Sequence, residues 1–97
     1  MEIKKKLSPQ SEDSLIGTWS KEDGNSIEIR RENNDYVFQH NAYQEYIQIH
    51  QAGQYYLFDI AKWEYGHRTF IRCNVGELTE ITHDSTHAHK WVKQQRN

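Results

Sequence analysis

Apolar and polar residues alternate along most of the chain, and the alternation breaks at turn-forming residues. Leu15, Gly17 and Trp19 fall on one side of an extended segment, with Ile16, Thr18 and Ser20 on the other. Glu22-Asp23-Gly24-Asn25 follows, and Asp-Gly and Gly-Asn steps accept the positive φ of a tight hairpin turn. Ile27 and Ile29 then alternate with Glu28 and Arg30, the period of two that marks a half-buried strand. Beyond the turn Glu32-Asn33-Asn34-Asp35, Tyr36, Phe38 and His40 share a face opposed to Val37 and Gln39. A bend at Asn41–Gln44 leads to Ile47 and Ile49, alternating with Tyr46, Gln48 and His50. Tyr55–Ile60 is apolar on both faces, which suits a central or covered strand. Residues 61–67 read either as a strand extension with Trp63 and Tyr65 in phase or as a loop. Arg68–Val75, Leu78–His83 and His87–Lys93 complete the series.

About eight short strands at roughly ten-residue spacing, with tight turns, predict an antiparallel all-β domain. No stretch carries the 3.6-residue period of an amphipathic helix. An open meander would leave two strand edges unpaired, so closure into a small up-and-down barrel is the expected solution. Trp19 in the first strand and Trp91 in the last would then be neighbours, and Gly17 would permit a sharp bend or a close approach. Residues 1–13 hold the only proline and the run Lys4-Lys5-Lys6 without periodicity, and read as a disordered leader. The domain is expected over 14–94, with 95–97 a frayed tail.

Gly17-Thr18-Trp19, a polar Asp-Gly turn and an alternating strand resemble the opening of the calycins, the group of lipocalins, fatty-acid-binding proteins and avidins. The resemblance covers Leu15 to Ile29. It implies a lipocalin-like barrel whose Gly-X-Trp strand seals one end, reduced here to a small or filled interior. The arginine that those families carry on the end strand has no counterpart within it, since Arg96 lies past the last strand.

Composition sharpens this picture. Hydrophobic residues are only 35%, but three Trp, six Tyr and three Phe bury large areas per residue and can build a core from few positions. A net charge of -2, with lysines and arginines scattered among acids, gives no basic stripe for phosphates, so nucleic acid is not an expected partner. The single Cys73 excludes an internal disulfide and, in phase with Ile71 and Val75, reads as a small buried residue. No apolar run follows the lysines and no span could cross a bilayer, so a cytoplasmic location without membrane attachment is expected.

Candidate chemistry is sparse. His83, His87 and His89 could converge on a metal, since i and i+2 side chains leave a strand on the same face, but they equally suit a solvated turn, and the expectation is no metal and no cofactor. No Gly-X-Ser-X-Gly elbow occurs, and acid pairs such as Glu77 and Glu80 read as solvated strand faces. Glu45 with His40 or His50 is the one candidate general base. Non-enzymatic binding is therefore expected. The ligand would be a small hydrophobic or aromatic molecule held by Trp19, Tyr36, Phe38, His40, Tyr56, Phe58, Arg72 and Trp91. The same inward aromatics could instead simply fill the core. The alternative is an inhibitor, immunity or accessory protein that engages a protein partner, or forms a homodimer, through outer tyrosines such as Tyr43, Tyr46, Tyr55 and Tyr65 with Arg68 or Arg72.

Overall fold

The first and last strands lie side by side. In a computed structural model of the protein, which describes residues 12–63, 66–82 and 88–94, β1 (Gly17–Ser20) pairs antiparallel with β9 (Ala88–Lys93), Trp19 opposite Lys93 and Ser20 opposite Val92. Between them run β2 (Ser26–Glu32), β3 (Asp35–His40), β4 (Tyr43–Ile47), β5 (His50–Ala52), β6 (Tyr55–Ile60), β7 (Arg68–Arg72) and β8 (Glu77–Thr82). All pairings are antiparallel, in the order β4-β3-β2-β1-β9-β8-β7-β6-β5, and the sheet curls into a half-barrel. Among the described residues the only helical element is one 3-10 turn, Glu12–Leu15, and no helix is long and apolar enough to cross a membrane.

Joining the termini does not remove the edges; it moves them to mid-chain. β4 pairs only with β3 and β5 only with β6, although the two are separated by just Gln48 and Ile49. The run from Tyr43 to Ala52, which the alternation reads as a single strand, changes partner halfway. That accounts for nine strands rather than eight. A side chain bridges the resulting seam: the Glu45 carboxylate accepts the backbone N–H groups of Ala61 (3.1 Å) and Lys62 (3.2 Å) and also the Tyr43 hydroxyl. Edge N–H groups left without a strand partner need some acceptor, and Glu45 supplies it. Glu45 thus clasps the seam, its carboxylate holding the chain after β6 against β4. The carboxylate and burial together push the Tyr43 hydroxyl pKa above its ordinary value, burial being the larger cause.

The inward faces match the alternation in most strands. Trp19, Ile27, Ile29, Tyr36, Phe38, Tyr56, Phe58 and Ile60 are all buried in one core with Leu15, Ile47, Trp63, Phe70, Leu78 and Trp91. Phe58 and Phe70 stack at 5.1 Å, and Phe38 packs on Phe70 at 5.7 Å and on Trp63 at 5.2 Å. These rings occupy the middle of the half-barrel, so the aromatic interior is a packed core rather than a chamber. The hairpins at both ends of β3 turn on Asn33 and Asn41, each with positive φ, a conformation that asparagine accepts more readily than most residues.

One end is plugged. The helical turn lies across it, held by the Trp19 indole N–H donating to the Leu15 carbonyl (3.0 Å) and by Lys93 Nζ donating to the Ser14 carbonyl (2.9 Å). Asp13, from the segment read as leader, accepts from the Tyr36 hydroxyl (2.8 Å) and from Arg31 (3.0 Å). Lys93 reaches Ser14 by crossing the face of Trp19, 5.6 Å from its ring centroid, and passes directly over Gly17. The φ of +145° favours glycine at Gly17, and a Cβ there would stand 2.6 Å from Lys93 Cε and push the lysine aside. Arg72 is also at this end, buried to 1% exposure with its guanidinium 5.4 Å from the Tyr56 ring centroid. Burial, with the Arg72 charge as a smaller cause, lowers the pKa of Lys93 below its ordinary value.

Two inward assignments differ from expectation. β7 ends at Arg72, and its inner phase is Phe70 and Arg72; Cys73 is exposed and Val75 is 69% exposed. Glu80, expected on a solvated face, points inward between Leu78 and Thr82 and is 4% exposed. Leu78 and Ile81 sit in opposite phases of that strand, so apolar alternation alone cannot say which phase is inside. The neighbour decides it: Leu78 is opposite Trp91, and Trp91 is in the core.

Candidate functional site

The other end of the half-barrel is open, and the described residues form a cleft of about 270 Å³ there. Its walls come from six places in the chain. The β1–β2 hairpin gives Lys21 and Asn25, the end of β3 gives His40, and the segment after β6 gives Trp63. Arg68 opens β7, Glu80 comes from β8, and Trp91 comes from β9. The floor is the packed core, since Trp63 rests on Phe38 and Trp91 lies 6.3 Å from Phe70.

A buried carboxylate organises this end. Glu80 Oε1 accepts the Trp91 indole N–H (2.8 Å), and Oε2 accepts Arg68 Nε (2.9 Å). A carboxylate removed from water needs both oxygens satisfied and its charge met, and these two donors do that. In return Glu80 fixes the Trp91 ring plane and holds the Arg68 guanidinium at the cleft wall. Lys21 completes the group, with Nζ 5.1 Å from the Trp91 ring centroid and 3.5 Å from the exposed Asp23. His40 stands edge-on to Trp63 with centroids 5.1 Å apart. The hairpin that carries Lys21 is pinned by its own backbone, Lys21 N–H to the Asn25 carbonyl (2.9 Å) and Gly24 N–H to the Lys21 carbonyl (3.0 Å).

The eight residues expected to hold a ligand separate along the axis. His40 and Trp91 line the cleft, and Phe38 and Phe58 belong to the ring stack beneath it. Trp19, Tyr36, Tyr56 and Arg72 lie toward the plugged end, away from the cleft, among residues that hold the plug. Lys21, Asn25, Trp63, Arg68 and Glu80 were not among the candidates. Trp63 was legible as an aromatic but lay in a segment read as strand or loop. It leaves the strand after Ile60 and turns inward, and residues 64–65 lie outside the described residues. Arg68 and Glu80 become visible only when β7 and β8 are paired, because Arg68 stands opposite Thr82 and reaches across to the adjacent inward position.

The histidine group cannot be placed: residues 83–87 lie outside the described residues, and His89 is exposed on β9. Among the described residues, no three His, Cys, Asp or Glu side chains are grouped to hold a metal ion. Of the outer tyrosines, Tyr46 and Tyr55 are exposed, Tyr43 is half-buried, and Tyr65 lies outside the described residues. A groove of about 360 Å³ runs outside β4, lined by Tyr43, Gln44, Glu45, Tyr46 and Lys62. It is larger than the open-end cleft, but its one acid among the described residues, Glu45, is already bonded to backbone. No protein-family model, no curated protein and no solved structure matches this chain.

Proposed function

We propose that this is a non-enzymatic binding protein that takes a small aromatic molecule in the cleft at its open end, above a filled core rather than inside a barrel chamber. The observation that carries the reading is the convergence of two tryptophan walls, Trp63 and Trp91, on a space bordered by fixed polar groups. Small-molecule sites combine apolar surface with a few oriented polar groups in this way. At about 270 Å³ the space falls just below the ~300 Å³ lower end of the usual range, which suits a single ring with a short substituent. The ring stack of Phe38, Phe58 and Phe70 argues against a longer apolar chain threading the interior. At the plugged end, Lys93 crossing Trp19 to the helical turn supports the calycin-like reading, as a lysine on the last strand takes the place where the resemblance implies an arginine.

The test is calorimetric titration with phenylacetamide, a neutral ring of suitable size, at millimolar concentration. Saturable one-to-one binding is expected, abolished by His40→Trp, which fills the cleft, and unchanged by Tyr56→Phe at the plugged end. Binding that ignores His40→Trp, or that is lost with Tyr56→Phe, would move the site elsewhere.

A further inference from the structure

The described side chains that line the open-end cleft include two cations and one carboxylate. Resting on the proposed ligand site, we infer that the cleft selects aromatic molecules that carry a carboxylate, with the ring between Trp63 and Trp91 and the anionic group on Lys21 and Arg68. Three charged side chains line the space: Lys21, Arg68 and Glu80. Both Glu80 oxygens are already engaged, Oε1 by Trp91 and Oε2 by Arg68. Its charge is met by Arg68 within that pair. A guanidinium has five N–H donors. Arg68 Nε is given to Glu80 and one Nη1 hydrogen to the His67 carbonyl at 3.3 Å; the rest engage no described residue.

Lys21 supplies the second positive charge. Its ion-pair partner, Asp23, is exposed on the hairpin at 3.5 Å, where water and salt screen the attraction. Nζ is poised over the Trp91 ring, so an anion attached to a ring lying against Trp91 would meet Lys21 without any strand moving. The two cations come from separate elements, β7 and the β1–β2 hairpin, and Glu80 keeps one of them in place. A planar carboxylate matches the remaining guanidinium donors better than a neutral amide does. A cationic ring would meet Lys21 and Arg68, and among the described residues lining the cleft the one acid, Glu80, is already paired with Arg68.

Three ligands of one shape separate the outcomes: phenylacetate, phenylacetamide and phenethylamine, titrated calorimetrically into the full chain at low ionic strength. Phenylacetate is expected to bind about tenfold more tightly than phenylacetamide, as one charge-assisted contact of this kind is worth about a factor of ten. Phenethylamine should not bind. Lys21→Gln should erase the difference between acetate and acetamide, whatever it does to the affinity the two share. Asp23→Asn, which removes the competing acid, should tighten phenylacetate binding. Because Arg68→Gln alone strands Glu80, Arg68 is examined as Arg68→Gln with Glu80→Gln, with folding checked by near-UV circular dichroism; phenylacetate binding should again fall to the level of acetamide. Equal affinity for acetate and acetamide, or persistence of the preference in Lys21→Gln, would overturn the charge selectivity and leave the cleft as a ring site. Failure of all three ligands to bind would overturn both.

Discussion

The two ends of this half-barrel use the same parts for opposite purposes. Each has an inward tryptophan whose indole N–H is tied down and whose ring carries a lysine ammonium: Trp19 with Lys93 at one end, Trp91 with Lys21 at the other. The acceptor makes the difference. Trp19 donates to a backbone carbonyl of the helical turn, and Lys93 bonds the same turn, so ring, lysine and plug form a closed group. Trp91 donates to a side-chain carboxylate, Glu80, whose second oxygen recruits Arg68. A backbone acceptor brings a segment of chain with it and fills space. A carboxylate acceptor brings a charge that must be answered by another side chain, and it leaves space beside it. One end is therefore closed, and the other keeps an open cleft.

The strongest way to break the comparison is to remove the ring at the plugged end. Trp19→Ala should lower the free energy of unfolding by about 3–5 kcal/mol, the usual cost of truncating a buried aromatic, measured by urea denaturation. Where the protein remains folded at low temperature, its affinity for phenylacetate should be intact; a parallel loss would mean that the ends are coupled. At the open end, Arg68→Met leaves Glu80 buried with Trp91 as its only partner and should cost about 2–3 kcal/mol, less than a fully buried pair because Arg68 is partly exposed. Adding Glu80→Gln should recover at least half of that loss, because the buried charge is gone and Trp91 keeps an acceptor. No recovery would show that the carboxylate itself, rather than its pairing, holds that end together.

Gly17→Ala tests the crossing lysine. Positive φ with a Cβ 2.6 Å from Lys93 Cε should cost about 1–2 kcal/mol, and Lys93 must swing away, freeing the Ser14 carbonyl. Combined with Lys93→Met, the same substitution should cost no more than its backbone share. The smallest effects are on the alkaline side. Lys93 titrates below its ordinary 10.5, so between its lowered value and 10.5 the folded chain binds fewer protons than the unfolded one, and stability rises with pH. Lys93→Met should flatten that rise. Tyr43 titrates above its ordinary 10.0, so from there upward the folded chain keeps a proton that the unfolded chain releases, and stability falls as pH climbs. Tyr43→Phe should remove that fall, as read by urea midpoints through this range.

The Trp19 strand of the plugged end was legible in the sequence; the helical turn that plugs it and the open end were not. Leu15, Gly17 and Trp19 are close in the chain, and a two-residue period places them on one face without further information. What the alternation could not supply was Lys93, because a lysine on the last strand reads as solvated until it is known to lie opposite Trp19. At the open end the decisive group is Glu80, an acid in a strand where Leu78 and Ile81 point opposite ways. Its inward position depends on the register of β8 against β9, a long-range fact that local pattern does not contain. Cys73 failed for a related reason. Its phase with Ile71 and Val75 was right, but that phase faces outward because Phe70 and Arg72 claim the interior. The mid-chain seam was hidden because Tyr43–Ala52 alternates almost without interruption while its hydrogen-bond partner changes from β3 to β6.

The division between the ends is most directly read from the three indole N–H signals in a nitrogen-15 correlation spectrum, titrated with phenylacetate. The signals of Trp63 and Trp91 should move together along one saturation curve, while that of Trp19, held against Leu15 under the plug, stays fixed. A Trp19 signal that shifts as far as the other two would contradict the account.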